Sequence, residues 1–242
     1  MKHNFPIRSS IPKKRKFRKS GRLLQNIALA ICILVATWLI INTITLVSVS
    51  YQSVDAFFVL GGSIRREIYV TQLAKQYPQT PILISRGSPD PCIWLIFQRE
   101  SADLRNVWLE NCANSTFDNF YYGLPILRSW GVHKVKLITS GSHAIRSKLM
   151  AQIIFGSHGI WVESDVVQEQ GIPGNQESWL KTGLDVTRSL FWAFFSQVIQ
   201  PQCSQVTRLI DVDMSAWKQR GFRCEHQGQL GQYTLKNRHD YN

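Results

Sequence analysis

The chain has 242 residues, 44% of them hydrophobic, so its length suits one domain of ordinary size plus an anchor and its composition argues against wholesale disorder. Of the formal net charge of +12, nine basic side chains lie in residues 1–22 without an acidic one, which leaves +3 on the other 220 residues. A folded part so close to neutral disfavours nucleic acid as a partner, and a basic tail beside an apolar segment is instead typical of membrane topology.

The first predicted element is a membrane span. No charged residue occurs from residue 23 to residue 54, and the densely apolar part covers the 25 residues 23–47. At about 1.5 Å per residue, a helix of this length exceeds the roughly 30 Å hydrocarbon core. The sequence therefore predicts a transmembrane helix over residues 23–47, preceded by a basic cytoplasmic tail, residues 1–22.

The positive-inside rule gives this span a direction. With the basic tail in the cytoplasm, the following domain lies across a bacterial membrane, in the periplasm or in the lumen of an internal membrane. A cleaved signal peptide, with small residues at Ser48 and Ser50, is the alternative. Its apolar region would usually cover only about 7–15 residues, which favours the uncleaved single-pass anchor.

Short apolar runs then alternate with longer helical patterns, which predicts βα units and a parallel sheet. About five strands are expected, at residues 56–60, 81–84, 106–109, 134–139 and 159–163. The helices between them are expected at residues 66–77, 92–97, 116–130 and 144–155. Together these elements predict an α/β domain over residues 55–200, with a sheet flanked by helices.

The pattern weakens after residue 165. Residues 171–174 read as a loop, and residues 177–200 as one or two helices that include an aromatic run at 190–195. The run is interpreted as part of a core helix, and a helix lying in the membrane interface is the alternative. No element is predicted in residues 201–242, which are treated as a C-terminal extension.

The five cysteines form no C-x-x-C pair and no His/Cys cluster with zinc spacing, so no metal site is predicted. They are Cys32, Cys92, Cys112, Cys203 and Cys224. Cys32 lies in the apolar span. Separate reduced thiols are the favoured interpretation of the other four, and a bridge between Cys203 and Cys224 is the alternative for an oxidising compartment.

Ligands of an open parallel sheet bind outside the carboxyl ends of its strands, and four glycine-rich or polar segments fall there. In the first, Gly61 and Gly62 precede a helix that begins near Arg65 and Arg66, which favours an anion such as phosphate. The alternative is a tight turn with two solvated arginines. The remaining ligand-binding candidates at this edge are Ser85, Gly87, Glu110, Thr116, Asn119 and Ser140.

The fourth segment holds the two candidates for catalysis. His143 and Arg146 are three residues apart at a predicted helix start and so share a face. The arginine fork can bind phosphate or carboxylate, and the histidine can transfer a proton or donate a hydrogen bond. The sequence contains no G-x-S-x-G elbow, H-E-x-x-H motif or Walker loop, which leaves Ser85 and Ser140 as unsupported candidates for a nucleophile.

The third segment has two interpretations. Ser115 is followed three residues later by Asp118, which is close to a capping box. Capping of the helix and ligand binding by Thr116 and Asn119 therefore both stay open.

In order and spacing, the four segments resemble the YdcF/SanA/ElyC family, a bacterial domain of unknown function. The most specific match is TSGSHAIR at residues 139–146, against a family pattern Thr-Ser-x-x-His-x-x-Arg. NSTFDN at 114–119 corresponds to Ser-x-Asn-Thr-x-Glu-Asn, and LGG at 60–62 with a following arginine corresponds to the first family segment. The family's Ser-Gly-Gly is here Ser85-Arg86-Gly87, which puts a ligand carried over from the family in doubt.

The resemblance covers residues 55–163 and implies a Rossmann-like fold. For SanA- and ElyC-like members it implies an N-terminal anchor and a role in envelope integrity or wall-precursor metabolism. We therefore expect a phosphorylated or nucleotide-like ligand, either a phosphate-containing small molecule or a lipid-linked precursor; the cofactor is unknown and enzymatic activity stays open. The alternative is a non-catalytic envelope scaffold or regulator that recruits partners. A soluble methyltransferase is disfavoured, because a domain outside the cytoplasm has little access to S-adenosylmethionine.

Overall fold

The structure is a computed structural model that describes residues 15–168 and 179–230. Residues 1–14 of the basic tail, the predicted loop at 171–174 and residues 231–242 lie outside the described residues. The chain divides into two compact units, Met1–Thr43 and Ile44–Asn242.

The first described element is the helix α1, Arg15–Ser50. Its section Gly21–Ser50 is long and apolar enough to cross a membrane, and in the described residues it is one candidate span, slightly longer than the predicted 23–47. Cys32 on this helix is an exposed free thiol. The last turns of α1 belong to the second unit, where Val49 is buried and Lys134 Nζ donates to the carbonyl oxygen of Ser50. The candidate span was thus predicted correctly, whereas its retention as an anchor stays a prediction.

The second unit is built on a sheet that has six strands in the described residues, in the order β5-β4-β1-β2-β3-β6. The first five strands pair in parallel, and β6 pairs antiparallel with β3. The strands are β1 (Ala56–Leu60), β2 (Ile82–Ser85), β3 (Val107–Glu110), β4 (Lys134–Ser140), β5 (Trp161–Val167) and β6 (Val206–Arg208). The mostly parallel α/β architecture is therefore confirmed, and the predicted strand number was one short.

The helices of this unit are α2 (Ile64–Gln76), α3 (Asp90–Arg99), α4 (Thr116–Ser129), α5 (Ala144–Ile154), α6 (Trp179–Phe195) and α7 (Met214–Arg220). Side chains cap the N-termini of α2 and α4, and the sequence predicted the second cap as one of two interpretations. Ser63 is the N-cap of α2, and Ser115 is the N-cap of α4 and accepts the backbone N–H of Asp118. The capping interpretation of the third segment is thus confirmed.

Apolar layers cover both faces of the sheet. The central strand β1 is therefore buried on both sides. On one face Phe58 contacts Phe120 of α4 and Phe155 at the end of α5, with ring centroids 5.8 and 5.4 Å away. On the other face Phe57 belongs to a cluster that includes Phe97 of α3. The parallel strands are therefore held between helices, with their polar ends left at the edges.

The aromatic run at residues 190–195 lies in the second half of α6, and its assignment to the core was wrong. Leu190, Phe191, Phe194 and Phe195 are exposed, whereas Trp192 is half-buried and Ala193 is buried. The helix was predicted correctly, but its apolar side faces outward.

Two disulfides join distant parts of the described chain, Cys92 to Cys224 and Cys112 to Cys203. The prediction of four reduced thiols is contradicted, and so is the alternative Cys203–Cys224 bridge. The reason is the unpredicted sixth strand: β6 returns beside β3 and brings Cys203 to Cys112, which follows that strand. Cys224 then meets the start of α3, so residues 201–230 are attached to the sheet rather than trailing from it.

Candidate functional site

The carboxyl ends of the five parallel strands meet at one edge of the sheet. From β1 the chain continues to β2 and β3 on one side, and then to β4 and β5 on the other. Such a change of direction leaves a crevice in which α/β sheets usually bind ligands. This position is bordered by Gly61 and Gly62 after β1, by Ser140 at the end of β4, and by His143 in the turn that follows β4.

Arg146 joins three helices at this edge. Its Nη2 donates to Oγ1 of Thr116, the first residue of α4, at 2.5 Å, and its Nη1 lies 3.5 Å from Oδ2 of Asp185 in α6. The Arg146 side chain is only 6% exposed. The structure thus brings together two predicted site residues, Arg146 and Thr116, at the N-terminal ends of α4 and α5. It adds a carboxylate, Asp185, that the sequence did not single out.

His143 lies in the 3₁₀ turn Gly141–His143 that links β4 to α5. Its side chain is partly exposed, and its carbonyl oxygen accepts a hydrogen bond from Ser147 Oγ at 2.7 Å. Ser140, which ends β4, is buried, with its Oγ 3.3 Å from Oγ of Ser142. Of the two predicted catalytic residues, His143 is therefore the more accessible to solvent.

Ser85, Glu110 and Asn119 form a buried cluster below the edge. Ser85 Oγ donates to Glu110 Oε2 at 2.5 Å and lies 3.0 Å from Oδ1 of Asn119. The other carboxylate oxygen of Glu110 accepts the backbone N–H groups of Cys112 and Ala113. Burial raises the pKa of the Glu110 carboxyl above its ordinary value. The hydrogen bonds of Ser85 link β2, β3 and α4. Because Ser85 and Glu110 are fully buried, the cluster does not present a nucleophile to solvent.

Arg66 is neither a solvated arginine nor an exposed anion contact. It is buried, and its Nη1 donates to the carbonyl oxygens of Leu60 and Gly61. Gly62 follows with a φ of 101°, a conformation that favours glycine. Arg66 therefore stabilises the turn after β1, where the sequence predicted a ligand contact.

The start of α2 is covered by residues 224–230. The backbone N–H of Ile64 donates to Oε2 of Glu225 at 3.4 Å, and Nε of Arg65 donates to Oε1 of Gln227 at 3.0 Å. Because the disulfide from Cys224 holds this segment, a carboxylate of the chain itself lies where the sequence predicted a phosphate. The Gly-Gly turn is thus correctly placed at the edge, but its helix N-terminus already has an anionic neighbour.

A buried carboxyl that the sequence analysis missed, Glu67, lies against Gly87. Its Oε1 accepts the backbone N–H of Ser88 at 2.5 Å, and its Oε2 has no hydrogen-bond partner among the described residues. Burial raises the pKa of Glu67 to about 7. The available signal was helical spacing, because Glu67 lies between the buried residues Ile64 and Val70 on one face of α2.

We expect the free energy of unfolding to fall as pH rises from about 4.5 to about 7 because of Glu67. The folded state holds this proton up to about pH 7, whereas the unfolded chain releases it near its ordinary pKa of 4.5. At about 1.4 kcal/mol per pH unit the loss is about 3 kcal/mol. Denaturant unfolding of the full-length protein in detergent, compared with Glu67→Gln across this range, measures it.

His158 also contributes to the pH dependence of the unfolding free energy, with the opposite sign. The quantity to compare is therefore the difference in unfolding free energy between the native protein and Glu67→Gln. Burial lowers the pKa of His158 to about 4, so its contribution is lost as pH falls from about 6.5. Glu67→Gln keeps the size of the side chain, removes its ionisable group and leaves His158 unchanged. Parallel pH profiles for the two proteins would contradict the buried, protonated carboxyl.

No protein-family model, no curated protein and no solved structure matches the chain. In the described residues, Glu110, Cys112 and Cys203 form a group with the spacing of metal ligands. The two cysteines are bonded to each other, so their sulfurs are not thiolates and the group has one ionisable ligand left. The candidate site that remains at this edge is formed by Arg146, Thr116 and the His143 turn, of which Thr116 and His143 are partly exposed.

Proposed function

We propose that this chain is a membrane-anchored protein of the YdcF/SanA/ElyC kind that binds a phosphate-bearing ligand where α4 and α5 begin. The observation that carries the proposal is Arg146, a nearly buried guanidinium that links the first turns of the two helices through Thr116. Proteins commonly bind phosphate groups with the backbone N–H groups of helix N-termini and with arginine guanidinium groups. The ligand class is a phosphorylated or nucleotide-like precursor of the cell envelope, either soluble or linked to a lipid.

The strand order supports the Rossmann-like part of the proposal. From β3 to β5 the sheet reads 3-2-1-4-5, the order of the first five strands in dinucleotide-binding folds. The backbone of Arg86 supports the resemblance independently. Its φ of 51° lies in the region that favours glycine, and the family pattern has glycine at this position.

We place the domain outside the cytoplasm, in the periplasm or in a lumen. The basic tail precedes the candidate span, which gives that orientation by the positive-inside rule. The two disulfides are a second, independent argument, because such bonds persist in oxidising compartments and are rare in the cytoplasm.

The side chains around Arg146 have different roles in the proposed binding of the ligand. Asp185 orients the Arg146 guanidinium and partly neutralises it, so the ligand anion also needs the backbone N–H groups at the two helix starts. Thr116 adds a hydroxyl that already contacts the arginine. His143, partly exposed on the neighbouring turn, is the group suited to transferring a proton to or from the ligand.

The second candidate is a non-catalytic scaffold or regulator of the envelope. It is favoured by the burial of Ser85 and Ser140, the two candidate nucleophiles, and of the carboxylate Glu110. Crosslinking of the full-length protein in its membrane distinguishes the two. A scaffold gives the same partners with and without Arg146→Ala, whereas recovery as a lone monomer contradicts it.

We expect Arg146→Ala to weaken binding of inorganic pyrophosphate and of a short-chain isoprenyl pyrophosphate by roughly 10- to 100-fold. A hydrogen bond to a charged group contributes about 1.5–3 kcal/mol, and about 1.4 kcal/mol corresponds to a factor of ten. Titration calorimetry of the full-length protein in detergent micelles measures the change. His143→Ala is expected to weaken binding less, because this side chain is not part of the buried pair.

The matched control is Arg105→Ala, which removes an exposed arginine paired with Asp103 and should leave affinity unchanged. Arg146→Lys keeps the charge but loses the fork, so it should fall between the native protein and Arg146→Ala. Unfolding curves for each variant show that the fold is retained. Equal affinity for the native protein, Arg146→Ala and His143→Ala would remove this centre as the ligand site.

A further inference from the structure

The helix α6 packs on the domain with its apolar side outward. Its buried positions are the small residues Thr182, Ser189 and Ala193. The exposed large side chains on the helix and in the turn that follows it are Trp179, Leu180, Leu184, Leu190, Phe191, Phe194, Phe195, Val198 and Ile199. A helix on a water-facing surface has the opposite arrangement, with its apolar stripe toward the core.

Specific contacts hold α6 in this orientation. Arg188 lies 3.7 Å above the Phe117 ring and pairs with Asp118 of α4. The half-buried Trp192 packs against Tyr121, with ring centroids 4.5 Å apart and the ring planes tilted by 41°. These contacts come from the flank and the inner side of the helix. The outward direction of the apolar face is therefore set by packing.

The end of α6 meets the end of the candidate span at one turn of the chain. Ser196 Oγ lies 2.8 Å from His158 Nε2, and Gln197 Nε2 donates to the carbonyl oxygen of Ser157 at 3.1 Å. The same 3₁₀ turn, Gly156–His158, approaches Leu46 of α1, whose Cδ1 lies 3.9 Å from the place of a Cβ on Gly156. The exposed apolar face therefore runs up to the point where the candidate span enters the domain.

We propose that the outer face of α6 lies in the interfacial region of the lipid bilayer. The occupant is lipid and not a second protein, because the face ends beside the last turns of a helix that is itself fit to cross a membrane. Leucine and phenylalanine on the face, a tryptophan at its start and the exposed basic side chain of Lys181 are the composition of an interfacial helix. This inference does not depend on the proposed phosphate ligand.

The test measures the depth of one position on α6 and one in the turn that follows it, in the full-length protein. Nitroxide labels are placed on Phe191→Cys and Val198→Cys in a Cys32→Ser background, without reductant, so that the disulfides are kept. Gln72→Cys, an exposed position on α2, is the matched control. The proteins are reconstituted in vesicles of phosphatidylcholine and phosphatidylglycerol, and accessibility of the label to oxygen and to a water-soluble nickel chelate is compared.

The expected result is that labels at 191 and 198 are accessible to oxygen and protected from the nickel chelate, at a depth of about 5–10 Å. The label at 72 should show the reverse. Labels at 191 and 198 that are as accessible to nickel as the label at 72 would place the face in water and overturn the proposal. Protection from both reagents would overturn it as well, because it would mean coverage by a second copy or by another protein. Two label positions ensure a result if one variant does not fold.

Discussion

Replacing Gly61 with alanine is expected to leave the protein largely unfolded. A Cβ at this position would lie 1.5 Å from the carbonyl oxygen of Arg86 and 2.7 Å from the nitrogen of Gly87. Both atoms are backbone, so no side chain can rotate away, and the ends of β1 and β2 would have to separate. We expect a loss of at least about 4–5 kcal/mol, which is comparable to the whole stability of many domains.

Gly141→Ala is the matched control at the same edge of the sheet. The nearest atom to a Cβ there is Val166 Cγ1 at 4.0 Å, so the alanine fits. Denaturant unfolding of the two variants and the native protein gives the comparison. A Gly61→Ala protein as stable as Gly141→Ala would mean that β1 and β2 do not approach this closely.

Removing the two disulfides is expected to have the second large effect. The bonds join residues 132 and 91 positions apart, so each restricts a long stretch of the unfolded chain. Such a bond typically contributes about 2–4 kcal/mol, which gives about 4–8 kcal/mol for both if the effects add. The bond at Cys224 also holds the segment that covers the start of α2, so its loss should expose Arg65.

Thermal unfolding of Cys92→Ala/Cys224→Ala, of Cys112→Ala/Cys203→Ala and of the combined variant measures the two contributions. Cys32→Ala is the control, because this cysteine is exposed and unbonded, and it should leave the midpoint unchanged. Peptide mapping without reductant should recover the two linked pairs. Unaltered stability after reduction would contradict the pairing.

The sheet was predictable where the strands are buried on both faces. The first strand has the predicted limits, Ala56–Leu60, because a run of five apolar residues between turn signals is typical of a strand that is buried on both faces. The fifth strand begins later than predicted, because Gly159 has a φ of 73° and ends a 3₁₀ turn. It also continues through polar residues to Val167, since it lies at the sheet edge and needs little burial.

The sixth strand was missed because its stability comes from pairing rather than from its own three residues, Val206–Arg208. The orientation of α6 was misread for a related reason. Sequence gives the period of an apolar stripe, but the direction in which the stripe faces depends on what surrounds the helix. The period of the stripe was therefore compatible both with the core helix that was favoured and with the interfacial helix given as the alternative.

At the site, the sequence identified residues that follow the strands of the parallel sheet. His143 and Arg146 follow one strand and could be grouped by spacing alone. Asp185 and Glu225 could not be found this way, because long segments separate them from Arg146 and Ile64. Arg66 shows the converse error, since a charged residue in a glycine-rich turn can serve the backbone carbonyls instead of a ligand.

The nested order of the disulfides has a consequence for biosynthesis. Cys92 and Cys112 leave the ribosome well before their partners, Cys224 and Cys203. During that interval β3 is an unprotected sheet edge, and the two early thiols can bond to each other. Correct maturation therefore depends on late oxidation or on reshuffling. In the oxidising compartment that we propose for the domain, cells without a disulfide isomerase should accumulate chains trapped with a Cys92–Cys112 bond.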